Sequence, residues 1–178
     1  MACLALISTE SGLALWVLAR SGSPLPELCL VLAEYRTLPE LLSASDIVSL
    51  HCPLTPETHH LINSDSLKLM KTGAYLLNTS RGGLIDTPAV LHALQSGQLG
   101  AFGLDVYELE EDYFFADWSE KPLPDSALNT LTHLPNVVVT SHQGFLTEEA
   151  LSQIAQVTLS NLTHPEQAYP ANSCVVVG

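Results

Sequence analysis

An apolar run, Ala74-Tyr75-Leu76-Leu77, leads directly into Asn78-Thr79-Ser80-Arg81-Gly82-Gly83-Leu84-Ile85-Asp86 and then Thr87-Pro88. No other stretch limits the fold so tightly. The run reads as a buried strand. Thr87-Pro88 reads as a helix start, with Thr as N-cap and Pro at the first helical position. A strand that turns through glycines into a helix is a unit of α/β folds, and open α/β sheets seat their ligands at the carboxyl ends of strands. Arg81 occupies such a place. Its planar fork suits an anion, because a carboxylate can accept two parallel hydrogen bonds from it. Gly82 and Gly83 let the backbone approach a ligand closely. An ordinary loop with a surface arginine is the plain alternative, since glycine-rich loops are common.

Two later strand ends add to Arg81. Gly103-Leu104-Asp105-Val106-Tyr107-Glu108-Leu109-Glu110 closes one apolar strand with acidic residues, and Val137-Val138-Val139-Thr140-Ser141-His142-Gln143-Gly144-Phe145 closes another with a histidine. In a parallel sheet these ends share one rim. A carboxylate beside an imidazole favours the protonated ring, and a histidine so held is a suitable acid/base near neutrality. His142 alone reads as a hydrogen-bonded loop residue; the Arg, Glu and His together read as a site.

The rest of the chain alternates in the same way. Strands are predicted at Leu13 to Ala19, Asp46 to Leu50, Ala74 to Leu77, Ala101 to Val106 and Val137 to Thr140. Helices are predicted at Leu38 to Ser43 under Thr37, Ser64 to Lys71, Pro88 to Leu94 and Asp125 to Leu131. A longer one opens at Thr147, with Ala150, Leu151, Ile154, Ala155, Leu159 and Leu162 on one face. Lys68 and Lys71 fall in the last turn of their predicted helix, where cations suit the dipole. This alternation implies a mostly parallel, doubly wound sheet with helices on both faces. The tail from His164 is punctuated by proline and expected to be poorly ordered.

Composition excludes several classes. Six Lys plus Arg face nineteen Asp plus Glu, a net charge of −13, which argues against nucleic acid and anionic membranes as partners. The acid of Glu108 to Glu120 reads as a solvated loop. No apolar run reaches membrane-spanning length, and the start lacks a basic leader region. Cys3, Cys29, Cys52 and Cys174 lack metal or disulfide spacing and read as reduced thiols of a cytoplasmic protein. Asn78-Thr79-Ser80 and Asn161-Leu162-Thr163 match a glycosylation acceptor, which has no meaning in that compartment. His59-His60 reads as solvated loop, because adjacent residues cannot address one ion from a helix or strand. A nucleophilic Cys52 with His51 or His59 as base is a rival reading, weakened by the lack of a helix N-terminus to lower the thiol pKa.

Several stretches resemble the NAD-dependent D-isomer-specific 2-hydroxyacid dehydrogenases: Ser45 to Thr58, Asn78 to Asp86, Gly103 to Glu110, Asp112 to Asp117, and His142-Gln143-Gly144-Phe145-Leu146-Thr147. Phe114-Phe115 and His142-Gln143-Gly144-Phe145 are similar to the D-lactate branch. The resemblance runs from about Glu34 to Glu166. It implies a Rossmann-like NAD-binding portion over 34–146 with the catalytic residues. It also implies a remnant of that domain over 1–33, a carboxyl-terminal helix over 147–166 and a tail over 167–178. Arg81 would bind the substrate carboxylate, His142 would move the proton of the 2-hydroxyl, and Glu110 would hold His142. Cys52, Pro53, Thr58, Thr79, Ser80, Arg81 and Asp105 would contact NAD. The partner would be a small 2-hydroxy or 2-keto acid, and the full-length family member would form homo-oligomers.

The departures set further expectations. No G-x-G-x-x-G occurs in the chain, so the turn that seats the pyrophosphate on a helix N-terminus is not found. Where the acidic ribose partner belongs, the gapless match places Arg20-Ser21, which keeps NADP open beside NAD. The chain therefore resembles the carboxyl-terminal portion of a subunit. A sheet lacking its central first strand would leave two unpaired internal edges. Truncation on that scale makes the isolated chain an expected poor binder of NADH, without turnover. A non-catalytic, nucleotide-responsive binding module and a nonfunctional remnant are the competing classes. Joint retention of Arg81, Glu110 and His142 argues against the first.

Overall fold

The computed structural model describes Cys3–Leu4, Leu6–Ser8, Ala14–Ala19 and residues 35–113, 117–118, 120–121 and 123–164. Arg20-Ser21, Phe114-Phe115 and the tail beyond His164 lie outside the described residues. The chain divides into two compact units, Met1–His142 and Gln143–Gly178.

Among the described residues, the first unit holds eight strands: β1 (Cys3–Leu4), β2 (Leu6–Ser8), β3 (Ala14–Ala19), β4 (Tyr35–Arg36), β5 (Ile47–His51), β6 (Ala74–Asn78), β7 (Leu99–Leu104) and β8 (Val137–Val139). Its helices are α1 (Leu38–Ala44), α2 (Ser64–Leu69), α3 (Thr87–Ser96), α4 (Glu110–Tyr113) and α5 (Ser126–His133). The main sheet runs β2-β3-β5-β6-β7-β8. All neighbours from β3 to β8 are parallel, and β2 joins antiparallel at the edge. β1 and β4 form a separate antiparallel pair.

The parallel α/β sheet matches the sequence reading, but one expectation needs correction. β3 pairs directly with β5, from Leu15 opposite Ile47 to Ala19 opposite His51. That ladder satisfies the backbone groups expected to be left open on the inner side of β5.

One core lies under the sheet. Leu41 and Leu42 of α1, Leu67 of α2, Val90, Ala93 and Leu94 of α3, and Leu128 and Leu131 of α5 join Val48, Leu50, Leu76, Phe102 and Leu104 from the strands. Alternation in β6 follows from this, with Ala74, Leu76 and Asn78 buried. The opposite residues are open, Tyr75 at 51% exposure and Val138 at 67%. Among the described residues, the helices of this core thus cover one face of β6 to β8.

Local chemistry explains the helix ends, and it moves one expected cap and one expected last-turn lysine. Asp86, not Thr87, is the N-cap of α3; its carboxylate accepts from the Ala89 amide at 3.2 Å. Thr87 and Pro88 are then the first two helical residues. α2 ends at Leu69, so Lys71 lies beyond it and pairs instead with Asp46 at 2.8 Å, tying the exit of α2 to the entry of β5. Asp125 caps α5 through the amides of Ala127 and Leu128. Gly100 lies inside β7, where a Cβ would come within 2.3 Å of the Gly73 carbonyl oxygen. Only glycine allows that approach.

The second unit carries α6 (Glu148–Thr163), capped by Thr147 as expected, whose hydroxyl accepts from the Ala150 amide at 3.1 Å. Its apolar residues Leu151, Ile154, Leu159 and Leu162 are exposed. No helix among the described residues is long and apolar enough to cross a membrane.

Candidate active site

The strand-end residues come from three consecutive crossovers of the sheet. β6 delivers Asn78 to Arg81, β7 delivers Asp105 to Glu110, and β8 delivers Thr140 to His142. Parallel strands in neighbouring order place these three exits on one rim.

The pair Glu110 and His142 is the strongest contact there. Glu110 Oε1 lies 2.9 Å from His142 Nδ1, with the carboxylate side chain 19% exposed and the ring 38%. The other oxygen, Oε2, accepts from the Tyr107 amide at 3.1 Å. The carboxylate is thus anchored to the backbone of its own turn while it holds the ring. With Nδ1 engaged, Nε2 is the nitrogen left for proton exchange. His142 has φ of 54°, the left-handed region that a non-glycine residue enters at a cost. Residues so held cluster at functional sites.

Arg81 sits in an exposed turn that leads into a single 3₁₀ turn, Gly82–Leu84. The turn is tied from below by Asn78, which is buried. Its Nδ2 donates to the Arg81 carbonyl at 2.9 Å, and its Oδ1 accepts from the Ser80 amide at 3.1 Å. From the guanidinium, Nη1 donates to the Ser80 carbonyl at 2.7 Å, one of its five donors. Arg81, Gly82, Tyr107, Glu108 and Glu110 line one cleft of about 240 Å³, together with Leu54. Arg81 and Glu110 therefore share a cleft, and His142 is attached through Glu110.

A second cleft of about 340 Å³ opens at the carboxyl ends of β5, β6 and β7. Ser49, His51, Thr79, Asp105 and Thr140 are among its lining residues. Thr140 Oγ1 donates to Asp105, and the Asp105 amide donates to the Asn78 carbonyl at 3.0 Å.

The expected cofactor residues divide between these places. Thr79 and Asp105 line the second cleft and Arg81 the first. Ser80 Oγ donates to the Cys52 carbonyl at 2.6 Å, joining the β5 and β6 exits. Thr58 is buried; its hydroxyl donates to the Pro53 carbonyl at 2.8 Å and accepts from the Thr55 amide at 2.7 Å. Thr58 shapes the turn after Pro53 and faces neither cleft. The Cys52 side chain is buried, and His51 Nε2 engages Ser49 at 2.8 Å.

Two readings of the sequence are corrected here. His60 is no solvated loop residue: its Nε2 lies 2.6 Å from Glu108 Oε1, its φ is 50°, and its ring stacks on His59 at 3.9 Å. Glu108 is likewise engaged, with its other oxygen accepting from the amide and hydroxyl of Thr87 at 3.1 and 2.6 Å. No group of three metal-ligating side chains occurs among the described residues. The sequence reading also missed Asn78, His51 and Thr140 as parts of the site. His51 and Thr140 carried the same signal as His142, a polar residue just past a strand.

Behind the clefts, the buried Tyr107 donates from its hydroxyl to Asp125 Oδ2 at 2.7 Å. Burial opposes ionisation of Asp125, but this bond and the amides of Leu128 and Ala127 outweigh it. Together they hold the carboxyl below its usual value. Burial and the neighbouring carboxylates push the Tyr107 hydroxyl well above its ordinary range.

Comparison with known proteins identifies the family of this fold. The family model described as D-isomer specific 2-hydroxyacid dehydrogenase, NAD binding domain, matches residues 5–144. The match begins at residue 5 rather than near Glu34, so the amino-terminal segment is part of it. The chain is 57% identical to 2-hydroxyacid dehydrogenase A of Aspergillus oryzae over 129 residues, 72% of this chain and 37% of that protein. It is 49% identical to the D-lactate dehydrogenase of Escherichia coli over 134 residues, 75% of this chain and 41% of that one. The solved pyruvate reductase of Chlamydomonas reinhardtii superposes with a TM-score of 0.77 at 43% identity, covering 88% of this chain and 48% of that chain. The chain thus spans less than half the length of each of these relatives.

Proposed function

The chain belongs to the D-isomer specific 2-hydroxyacid dehydrogenases, and from that premise we propose that it supplies the catalytic residues of an oxidoreductase interconverting a small 2-hydroxy acid and its 2-keto acid. D-lactate and pyruvate are the pair favoured by the D-lactate-type motifs. NAD is the cofactor of the matched domain, and when bound it takes hydride from, or gives hydride to, the substrate C2. Cytoplasmic residence and self-association of the full subunit belong to the same reading.

The observation that carries the proposal is the 2.9 Å contact between Glu110 and His142 beside a cleft that also holds Arg81. In this reading Arg81 holds the substrate carboxylate, which fixes the neighbouring C2. Nε2 of His142 accepts the 2-hydroxyl proton during oxidation and returns it to the 2-keto oxygen during reduction. Glu110 fixes the ring through Nδ1 and so orients Nε2 for the transfer. The second cleft fits the nicotinamide end of the cofactor in its chemistry. It offers the Asp105 carboxylate as an acceptor and the Thr79 hydroxyl as a donor at the strand ends. Cys52, Pro53 and Ser80 would contribute through the linked loops beside it.

The test is NADH oxidation with pyruvate. It is run on the chain itself and on a chimera in which residues 35–164 replace the matching stretch of the E. coli D-lactate dehydrogenase. Turnover in the chimera, lost in His142→Gln, is the expected result. A folded chimera without turnover on pyruvate or other small 2-keto acids overturns the proposal.

A further inference from the structure

Glu108 spends both carboxylate oxygens on parts of the chain remote in sequence. Oε1 meets His60 Nε2 at 2.6 Å. Oε2 accepts from Thr87 at the start of α3, from the amide at 3.1 Å and the hydroxyl at 2.6 Å. His60 in turn donates its amide to the Gly83 carbonyl at 2.9 Å. Gly82 lies directly against the backbone of Tyr107 and Glu108; a Cβ there would meet the Tyr107 carbonyl carbon at 2.1 Å and the Glu108 nitrogen at 2.4 Å. A ring of contacts therefore closes around the turn that carries Arg81, running from Gly82 to Glu108, from Glu108 to His60, and from His60 back to Gly83. Two residues beyond Glu108, Glu110 anchors to the Tyr107 amide and holds His142.

We propose that Glu108 is a positioning residue: by tying His60 and Thr87 to the segment Tyr107 to Glu110, it fixes the Arg81 turn relative to the Glu110–His142 pair. The kinetic side rests on the function proposed above; the structural side does not. Arg81 and Glu110 arrive from different strands, and among the described residues no hydrogen bond joins them. Their separation is set by how firmly the two exits are held together. Glu108 is the side chain that does so, and His60, held in the left-handed region, is the element it secures.

Hydrogen exchange on the 178-residue chain tests the geometry without turnover. Glu108→Ala is expected to raise exchange at His60, Leu84 and Ile85 by about tenfold or more, the effect of one lost charge-assisted hydrogen bond. The amides of β6 should stay unchanged. Glu108→Gln restores protection, because its carbonyl can still accept from Thr87 while its amide still reaches His60 Nε2. In the chimera, Glu108→Ala is expected to lower kcat/KM for pyruvate by about tenfold or more, with KM for NADH within about twofold. Unchanged exchange in the turn, or equal acceleration in β6, overturns the proposal by showing no local role. So does an equal loss of both kinetic parameters. A chimera without any turnover defeats the functional reading, while the exchange pattern still decides the role of Glu108.

Discussion

Glu110 grips His142 through Nδ1 at 2.9 Å while its second oxygen is held by the amide of Tyr107. The carboxylate is thus a fixed charge, and the ring it faces is presented by a backbone already committed to a left-handed turn. Replacing Glu110 by Gln removes the charge and leaves a side chain of the same shape. The amide that replaces the carboxylate can no longer offer an anion to Nδ1, so the ring loses the partner that orients Nε2. In Glu110→Gln, kcat for both pyruvate reduction and lactate oxidation should fall by about tenfold or more, with KM for NADH within about twofold. Rates in both directions on the folded chimera measure this. An unchanged kcat would remove the acid/base role from the pair.

Arg81→Lys tests the clamp. Lysine keeps the charge but loses the fork. Each charge-assisted hydrogen bond contributes about 1.5–3 kcal/mol, so kcat/KM for pyruvate should fall by about ten- to a hundredfold. The comparison is made at fixed NADH with the folded chimera. A value equal to the parent's would assign the substrate carboxylate to another group.

Gly82→Ala tests the close approach beneath that clamp. The new methyl would lie 2.1–2.4 Å from backbone atoms of Tyr107 and Glu108, which have no flexible end to swing away. Overpacking of this kind costs about 1–3 kcal/mol. Thermal unfolding should show the loss, and turnover should drop further than stability alone explains, since the displaced turn carries Arg81. Wild-type melting with unchanged kinetics would contradict the contact.

Tyr107→Phe has a pH signature. It removes the hydroxyl that donates to Asp125 at 2.7 Å, a bond to a charged acceptor worth about 1.5–3 kcal/mol. The folded-state pKa of Asp125 is depressed below its ordinary 3.8. Its contribution to stability is therefore complete above that value and disappears as pH falls through the lower, folded one. Urea midpoints should separate parent and variant at pH 7 and converge in strong acid. A gap that persists undiminished below pH 2 would mean that packing of the ring, not the ionised partner, is responsible.

The local chemistry of the sequence was enough to find the strands around Arg81, Asp105 and His142, because each combines an apolar run with a polar exit. It was also enough to expect Thr37, Asp125 and Thr147 at helix starts. It misassigned Glu108 and His60 as solvated, since their partners lie far away in the chain and no local pattern announces a pairing between two loops. Asp86 displaced Thr87 as the cap for the same reason: Thr87 is already engaged by Glu108, a contact invisible from the α3 sequence. The direct ladder between β3 and β5 was equally hidden. Periodicity says that a strand exists, whereas the identity of its neighbour depends on everything the sheet contains.

The buried amide of Asn78 has a consequence for the acceptor motif Asn78-Thr79-Ser80. Its nitrogen, the atom that an oligosaccharide would join, already donates to the Arg81 carbonyl, and the residue is 1% exposed. A sugar there and a folded Arg81 turn are mutually exclusive. Sent through a secretory route, the chain could be modified at Asn78 only before this turn closes, and each modified molecule would lose its clamp. Asn161, on an exposed helix, would carry a sugar without that conflict.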